Sequence, residues 1–461
     1  ASWSALAPCA ASRWVSEPVG LEPADRAATR AEADPEQHRW DVLIAGAGPS
    51  GSDLARRLSE AGRSVLLIDS LSDLRQAAFS SAALPWSAVE YHGMPEAVVA
   101  SRWNRWLLLG PGADRREWGG GAVEWPAAEP RAAVPFAAEL QAPQSTAAEP
   151  LGAVLDFGAL RQWLAGRAEQ AGAAVKLGWR AERLEPQQPG NGAVLTLLRG
   201  PSGQRRRVHS RFVVDATGQA RVLLGDPRGD TDPLVSGGGV EWLLQLDEER
   251  WRPWADRLTF LMGSDWVPQG YGWVFPMQPG QLKVGVCRLS DPGRCQPPLH
   301  GLLQTVLQRL DLADAPVLDR HGGLIRSTVR RREPHRRGQL LGLGDAVSTA
   351  NLLGGEGIRH ALSSSEVLAP LLLQALDGRS AALDRYPRLL RRRLGWRWSL
   401  SGRLARRTWL GLHGPVADGR LRRLLGGLEA GASAADLSAL LFDYRFERYG
   451  LRALPYLLGW R

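Results

Sequence analysis

The sequence predicts an α/β protein with a parallel sheet, an inserted antiparallel sheet and a C-terminal helical region. The first observation is an apolar run at residues 41–45, which a glycine-rich turn and a helical pattern follow at once. The second is a series of short strand patterns between residues 237 and 288. The third is a helical pattern that begins near residue 354 and continues, with short breaks, through the rest of the 461-residue chain. A chain of this length is long enough for two or three packed subdomains.

The most specific motif lies at residues 41–69 and reads DVLIAGAGPSGSDLARRLSEAGRSVLLID. A buried strand leads into GAGPSG, which fits G-x-G-x-x-G, and a helix and a second strand follow. Gly46 allows the tight turn, Gly48 lets the backbone approach a pyrophosphate, and Gly51 lets the helix pack on the strand. The phosphates would face the positive end of the helix, and Asp69 would accept hydrogen bonds from an adenosine ribose. We therefore predict a dinucleotide site in a Rossmann-like domain, rather than a glycine-rich turn of an ordinary α/β protein. The motif contributes six candidate cofactor residues: Gly46, Gly48, Pro49, Ser50, Gly51 and Asp69.

The composition narrows the class of protein. The chain is 44% hydrophobic and 23% charged, which is ordinary for a soluble globular protein. Its three cysteines show neither a disulfide framework nor metal-ligand spacing, so we expect no metal site and a cytoplasmic location. The apolar runs are all shorter than the ~18 residues of a membrane span. The net charge of +9 is carried almost entirely by arginine, which indicates either a surface for phosphate or anionic lipid, or GC-rich coding.

The order of the patterns predicts a discontinuous domain organisation. Residues 1–38 are rich in Ala, Pro and charge without a steady period, and we expect a disordered tail. Residues 39–235 and 321–378 would form the nucleotide-binding domain. Residues 236–320 would form a β-rich substrate domain, and residues 379–461 a helical region.

Inside the first domain, two segments have distinct patterns. Residues 76–150 contain repeated Pro and Gly and are predicted to be loop-rich, which is often a sign of function. Residues 155–171 form an amphipathic helix that contains Arg161. A hairpin is predicted around residues 200–203.

Two further motifs follow the nucleotide motif in a fixed order: VDATG at residues 214–218, and GLGDA at residues 342–346 followed by GGEGI at residues 354–358. In this order they resemble flavoproteins of the glutathione-reductase type, in their hydroxylase and geranylgeranyl-reductase branch. The resemblance implies a Rossmann-like FAD-binding domain with an inserted antiparallel β-sheet substrate domain. It implies that an Asp holds the ribityl region of FAD, and that a helix N-terminus beside the isoalloxazine stabilises negative charge on reduced flavin. The cofactor residues that it implies are Arg161, Asp215, Gly218, Gly344, Asp345, Gly355, Gly357 and Ile358.

The strand pair YGWVFP at residues 271–276 and VGV at residues 284–286 distinguishes the branches. It resembles the geranylgeranyl reductases, whose aromatic residues line a long apolar cavity, more than the halogenases, which begin this motif with Trp. The resemblance implies that Tyr271, Trp273 and Phe275 line the substrate cavity.

The resemblance implies an FAD-dependent oxidoreductase that reduces C=C bonds of a long apolar isoprenoid or carotenoid substrate. A second nucleotide motif is absent from the sequence, so NAD(P)H or ferredoxin would reduce the FAD transiently. Saturation of an alkene needs a proton as well as a hydride, and Tyr271 and Glu356 are the candidate catalytic residues, with Glu90, Tyr91 or His92 as further donors. A carboxyl group in a dry pocket has a raised pKa and keeps its proton.

Three other functions stay open on the sequence alone. One is a redox-neutral cyclase of the lycopene type, in which Glu356 protonates a polyene beside reduced FAD. The others are a flavin monooxygenase or halogenase, and a non-catalytic flavin- or lipid-binding protein. A long apolar tunnel would favour the reductase or the cyclase. A compact polar pocket would favour the monooxygenase, and a pocket filled by tryptophan the binding protein. The sequence does not determine the substrate, the electron donor or the oligomeric state.

Residues 388–410 are strongly basic, with eight arginines, no acidic residue, and Trp396, Trp398 and Trp409 between them. This pattern favours a helix pair that lies on an anionic membrane as a peripheral protein. The alternative is a packed helix with an arginine-rich solvent face. Nucleic acid is not expected as a partner, because no nucleic-acid motif accompanies the charge.

Overall fold

The computed structural model describes residues 39–76, 79–119, 150–185, 194–227, 232–329, 332–429 and 431–445. The predicted tail at residues 1–38 lies outside these ranges, as does much of the predicted loop at residues 76–150.

Strands occur along most of the described chain. In chain order they are β1 (Arg39–Ala45), β2 (Val65–Asp69), β3 (Ala83–Pro85), β4 (Val99–Trp103), β5 (Arg105–Leu109), β6 (Arg115–Trp118), β7 (Gly152–Leu155), β8 (Ala174–Leu177), β9 (Arg180–Leu184), β10 (Val194–Arg199), β11 (Arg205–Asp215), β12 (Leu234–Gln245), β13 (Arg257–Met262), β14 (Gly270–Pro276), β15 (Gln281–Leu289), β16 (Val317–Thr328), β17 (Arg336–Arg337) and β18 (Leu340–Gly342).

The α-helices of the same ranges are concentrated toward the C-terminus. In chain order they are α1 (Pro49–Glu60), α2 (Trp86–Tyr91), α3 (Phe157–Gln170), α4 (Glu248–Trp251), α5 (Leu299–Arg309), α6 (Ile358–Leu376), α7 (Tyr386–Gly411), α8 (Gly414–Glu429) and α9 (Ala434–Leu441).

The first sheet has the parallel order β18-β11-β1-β2-β8 at its centre. Its core strand β1 is apolar because both faces are covered, and Val42, Leu43 and Ile44 are fully buried. Helix α1 packs against both α3 and α6 over this sheet. The hairpin predicted around residues 200–203 joins β10 to β11. This arrangement confirms the Rossmann-like part of the predicted fold.

The second sheet has the order β16-β12-β15-β14-β13-β5-β6 and is antiparallel except between β13 and β5. The strands predicted between residues 237 and 288 are confirmed as β12 to β15. The sheet also takes β5 and β6 from residues 105–118, so the prediction that residues 76–150 are loop-rich is wrong there. The reason is that β5 is buried along its whole length and has no polar alternation to mark it as a strand. The division into domains stays a prediction, and its boundary at residue 320 falls within β16.

The described part of the C-terminal region is helical, as predicted. Helix α7 is interrupted at Gly395, where φ is 85°. Helix α8 packs against β6, and α9 contacts β5, so this region covers one end of the second sheet. Among the described residues, we find no helix that combines the length and the apolar character needed to cross a membrane.

Candidate flavin site

The turn after β1 is shaped by two close backbone approaches. Gly46 has φ of +110°, and a Cβ atom there would lie 2.2 Å from the carbonyl oxygen of Ala216. A Cβ atom on Gly51 would lie 2.0 Å from the carbonyl oxygen of Gly46. Both glycines are therefore required by the packing of β1, α1 and the end of β11, as the sequence motif predicts.

Gly48 differs from these two glycines because a Cβ atom there would meet no protein atom within 4 Å. It is the N-cap of α1, and no side chain of the described residues caps this helix end. The free N–H groups of the first turn and the open space at Gly48 fit the pyrophosphate of a dinucleotide. Asp69 lies beside the turn and accepts hydrogen bonds from the N–H groups of Ala47, at 2.7 Å, and Leu71, at 2.9 Å. Each carboxylate oxygen can accept a second bond, so Asp69 also fits a ribose.

Asp215 does not have the role predicted for it. It is fully buried, and its two oxygens accept four hydrogen bonds, from the N–H and hydroxyl of Thr217 and the N–H groups of Leu223 and Leu224. These bonds use its lone pairs, so it shapes the loop that begins at Gly218 rather than touching a cofactor.

Arg161 lies on α3 near the end of β2. Its guanidinium stacks on the ring of Phe157 and donates to the carbonyl oxygen of Gln76 at 2.5 Å. Burial lowers the pKa of Arg161, and the nearby charges of Asp69 and Asp73 act in the opposite direction. This position next to Asp69 keeps Arg161 a candidate for the cofactor phosphates.

The segment after β18 packs directly on α1. A Cβ atom on Gly344 would lie 2.4 Å from the hydroxyl oxygen of Ser50, so the side chain of Ser50 packs directly against Gly344. Asp345 accepts a 2.7 Å hydrogen bond from the hydroxyl of Thr349, and its carboxylate lies beside Gly357, the N-cap of α6. The third motif therefore brings a carboxylate and a helix N-terminus together, as the resemblance implies.

A cavity of about 250 Å³ lies where the nucleotide motif, the segment after β18 and strand β14 meet. Its wall includes Pro49 from the nucleotide motif, Asp345, and Tyr271 and Trp273 from β14. The candidate residues Gly355, Gly357 and Ile358 also line it.

Phe275 does not line this cavity, so that prediction is corrected. It is buried two residues further along β14, where its ring packs against Phe260 at a centroid distance of 5.4 Å and against Trp273 at 6.4 Å.

Tyr271 joins β14 to the glycine-rich segment before α6. Its hydroxyl donates a 2.9 Å hydrogen bond to the carbonyl oxygen of Gly354. Burial raises the pKa of Tyr271 well above its ordinary value, with a smaller contribution from Cys287, which faces it on β15. Burial also raises the pKa of the Cys287 thiol to about 12. Both groups therefore hold their protons at neutral pH on the cavity wall.

Glu356 is turned away from the cavity, toward the C-terminal segment. Its carboxylate is paired with the Arg359 guanidinium and accepts a 2.9 Å hydrogen bond from the hydroxyl of Tyr444. Burial acts to raise the pKa of Glu356, but the charges of Arg359 and His360 and these hydrogen bonds outweigh it, and the pKa is lowered. The expected proton donor is thus an ionised, paired carboxylate, which corrects its assignment as a catalytic acid.

The three further donors also lie outside the cavity. Tyr91 is 65% exposed, and with His92 it lines a separate cleft on the other side of the first turn of α6. Glu90 accepts a 3.0 Å hydrogen bond from the indole N–H of Trp86.

Several residues that line the cavity were not predicted from the sequence. Phe79 packs over Gly239 and Gly323, where a Cβ atom would lie 3.2 Å and 2.4 Å from its ring. The run of three glycines in β12 was an available signal, since glycine within a strand marks a close approach. Trp409 of α7 also lines the cavity, and its indole N–H donates to the carbonyl oxygen of Leu353 at 3.0 Å.

The chain is similar to several known proteins. Residues 41–371 match the DAO family of FAD dependent oxidoreductases. The digeranylgeranylglycerophospholipid reductase of Haloferax volcanii is 25% identical over 355 residues, 73% of this chain and 76% of the relative. The menaquinone reductase of Mycobacterium tuberculosis is 27% identical over 386 residues, 79% of this chain and 83% of the relative.

Solved structures share the fold. A geranylgeranyl bacteriochlorophyll reductase-like protein from Thermoplasma acidophilum has a TM-score of 0.69 at 20% identity, covering 90% of this chain and 99% of that chain. A myxobacterial chondrochloren halogenase has a TM-score of 0.59 at 16% identity, covering 92% and 97%.

The fold and the three converging motifs define a flavoprotein oxidoreductase. The chain belongs to the DAO family of FAD dependent oxidoreductases. The predictions of FAD as cofactor, of an oxidoreductase, and of a resemblance to geranylgeranyl reductases are thereby confirmed.

Proposed function

We propose that this enzyme reduces C=C bonds of a long isoprenoid lipid. The observation that carries the proposal is the cavity beside α6, whose wall is mostly apolar and includes Tyr271, Trp273, Leu352 and Trp409. Such a wall suits a hydrocarbon chain better than a polar substrate. The names of two relatives, digeranylgeranylglycerophospholipid reductase and menaquinone reductase, both give a lipid as the compound that is reduced.

The residues of the site would have separate roles in cofactor binding and proton transfer. The N-terminus of α1 at Gly48 would hold the pyrophosphate of FAD, Asp69 the ribose and Asp345 the ribityl chain. FAD, when bound, supplies the hydride. The N-terminus of α6 at Gly357 would stabilise negative charge on reduced flavin. Tyr271 holds a proton at the cavity wall and is our candidate for the donor to the second alkene carbon. The electron donor is proposed to be NAD(P)H or ferredoxin.

The cyclase alternative is weakened by the state of Glu356. A cyclase of this kind needs a carboxylic acid that holds its proton beside the flavin. The pairing of Glu356 with Arg359 lowers its pKa, and Glu356 does not line the cavity.

We also propose that α7 docks the enzyme on anionic lipid, so that the substrate reaches the cavity without crossing water. Trp398 and Trp409 are buried, which corrects their assignment to the membrane face, but Trp396 is 63% exposed. The exposed arginines of this helix are Arg388, Arg391, Arg392, Arg393, Arg403, Arg406 and Arg407. Their charge is complementary to an anionic membrane surface.

The reductase proposal is tested by single-turnover reactions without oxygen. Chemically reduced protein is mixed with a digeranylgeranyl glycerol lipid, with menaquinone and with lycopene, and the products are analysed by mass spectrometry. We expect a gain of two hydrogens for each double bond reduced, and no change with oxidised protein. A product of unchanged mass would establish the cyclase instead. A product that gains oxygen or halogen once air and halide are admitted, with no saturation, would establish a monooxygenase or halogenase.

A further inference from the structure

Two aromatic rings in the wall of the flavin cavity are seated on glycines of the second sheet. The ring of Phe79 lies over Gly239 on β12 and Gly323 on β16. The indole ring of Trp273 lies over Gly285 on β15, where a Cβ atom would be 2.2 Å from the ring. Glycine within a strand contributes no side chain to packing, so it often marks a close approach by another group. The cavity face of this sheet therefore has room for both rings at adjoining positions.

The cavity ends at these two rings. Residues at every second position of a strand face the same side of the sheet. On β14 this face contains Tyr271, Trp273 and Phe275, and the cavity wall includes the first two but not the third. On β15 the same face contains Cys287, which lines the cavity, and Lys283, which does not. The cavity therefore ends at Trp273 along both strands, with the other ring over the neighbouring strands β12 and β16.

A buried ion pair lies behind this end of the cavity and contacts the supports of both rings. Glu241 on β12 and Lys283 on β15 are buried, and Nζ is 3.8 Å from Oε1. Glu241 accepts a 2.8 Å hydrogen bond from the indole N–H of Trp273. Lys283 donates a 2.7 Å hydrogen bond to the carbonyl oxygen of Ser80, the residue that follows Phe79. One pair of charges therefore fixes the first ring directly and the second ring through its backbone.

Stability alone does not account for this ion pair. The desolvation of two buried charges offsets most of their attraction, and apolar residues of the same volume often stabilise a protein as well or better. A role in fixing position does account for it, because its hydrogen bonds go to the two groups at the end of the cavity. An aromatic ring held in this way cannot move aside for the tip of a hydrocarbon chain without breaking a buried hydrogen bond.

We propose that Phe79 and Trp273 form an aromatic stop, which limits the length of the hydrocarbon chain that the cavity accepts. Phe79 is the specificity-determining residue, and Glu241 and Lys283 are positioning residues. The inference rests on the proposed function, since it takes the cavity to hold the substrate chain. Each methylene group that leaves water for an apolar cavity strengthens binding about fourfold. Affinity should therefore increase with chain length only until the end of the chain reaches the stop.

The test measures how affinity depends on chain length. The oxidised FAD-loaded enzyme is titrated in a calorimeter with prenyl alcohols of increasing length: geraniol, farnesol, geranylgeraniol and geranylfarnesol. We expect wild-type affinity to rise with each isoprene unit up to a limiting length and then to stay constant within about twofold. Phe79→Ala should move the limit by one isoprene unit, because the removed ring is similar in volume to such a unit. The alcohol one unit beyond the wild-type limit should then bind at least about tenfold more tightly than it binds to wild type.

Two further variants serve as controls for this substitution. Phe79→Leu keeps most of the apolar volume and should give only part of the gain in affinity. Phe260→Ala makes the same truncation at another half-buried phenylalanine, which is on β13 of the same sheet and does not line the cavity. It should leave the limiting length unchanged.

The double variant Glu241→Gln with Lys283→Met tests the positioning role. It removes both charges together, so neither is left unpaired, and the new amide can still accept the indole N–H of Trp273. The melting temperature should stay within a few degrees of wild type. The alcohol beyond the wild-type limit should bind at least about fivefold more tightly, because the backbone next to Phe79 is no longer held. A pair with only a structural role would instead change the melting temperature and leave the limiting length in place.

Several results would overturn the proposal. Wild-type affinity that rises through the whole series, or no binding of any alcohol, would show that the cavity has no stop for a chain. An unchanged limit in Phe79→Ala would show that another residue sets the length, and an unchanged limit in the double variant would remove the positioning role. Binding is measured without turnover, so the reductase proposal is tested separately. A protein that shows the limit but saturates no double bond would refute the reductase proposal alone.

Discussion

The hydroxyl of Tyr271 donates a 2.9 Å hydrogen bond to the carbonyl oxygen of Gly354, and this bond ties the second sheet to the segment that begins α6. A Cβ atom on Gly355 would lie 2.9 Å from the same hydroxyl oxygen. The side chain of Tyr271 therefore links β14 of the second sheet to the glycine-rich segment before α6.

We expect Tyr271→Phe to keep FAD but to lower turnover by at least about 100-fold, because it removes the proposed proton donor. Loss of the hydrogen bond should lower the free energy of unfolding by about 1 kcal/mol. FAD content and single-turnover rates check this. Tyr444→Phe is the matched control, because it removes a buried 2.9 Å hydrogen bond to Glu356 on the other side of α6. If both variants lost turnover equally, the case for Tyr271 as donor would fail.

Three glycines of the predicted nucleotide-binding domain, Gly48, Gly51 and Gly166, should differ in the effect of substitution by alanine. Gly48→Ala meets no protein atom, so we expect a folded protein with reduced FAD uptake. Gly51→Ala places a Cβ atom 2.0 Å from a backbone oxygen and should lower the free energy of unfolding by about 3 kcal/mol. Gly166→Ala, within α3, has open space and should stabilise by about 0.5 to 1 kcal/mol with full FAD uptake. Flavin absorbance after gel filtration and thermal unfolding measure these effects. Normal FAD uptake by Gly48→Ala would contradict the pyrophosphate assignment.

The stability contributed by Glu356 should depend on pH. Its folded pKa is lowered below the ordinary value of 4.5, so its contribution is complete above that value and is lost as the pH falls through the lowered pKa. Glu356→Gln should cost on the order of 3 kcal/mol at pH 7, because Arg359 keeps its charge without a partner. The difference between wild type and variant should be constant from pH 7 to about pH 5 and shrink below that. Denaturant unfolding across this range measures the difference in free energy of unfolding between wild type and variant. A difference that grew toward low pH would mean that the pKa of Glu356 is raised in the folded protein, not lowered.

Docking of α7 on lipid should depend on charge and salt. Arg391→Gln with Arg392→Gln removes two exposed cations that are worth about 1 kcal/mol each at an anionic surface, so binding to phosphatidylglycerol vesicles should fall roughly tenfold or more. Co-sedimentation at low and high salt measures this, and phosphatidylcholine vesicles should not bind. Arg180→Gln with Arg199→Gln makes the same charge change on exposed residues of β9 and β10 and should have little effect. Equal losses of vesicle binding in the two double variants would show that binding depends on net charge and not on α7.

The cysteines should differ in reactivity. The raised pKa of Cys287, about 12, leaves almost no thiolate at pH 8, whereas Cys295 is exposed. Iodoacetamide should modify Cys295 and leave Cys287 unmodified, as peptide mass mapping would show. Rapid modification of Cys287 in the folded enzyme would mean that its thiol is more accessible to solvent than the structure indicates.

The sequence by itself determined the nucleotide-binding half of this protein, because the requirements there are local. Gly46 and Gly51 are needed where the turn brings backbone atoms into contact, and that need is visible in the spacing of the motif. The order of the motifs then identified the cofactor, and the aromatic strand at residues 271–276 placed Tyr271 and Trp273 at the cavity.

Only the tertiary structure decided which polar groups line the cavity. Glu356 follows two glycines in the sequence as a catalytic acid would, but burial, the charges of Arg359 and His360 and a hydrogen bond from Tyr444, 88 residues away, set its pKa. Trp409 belongs to a pattern typical of a membrane-surface helix, yet a bond to Leu353 directs it into the cavity wall. Long-range packing sets burial and charge pairing, and periodicity along the chain contains no information about partners so distant.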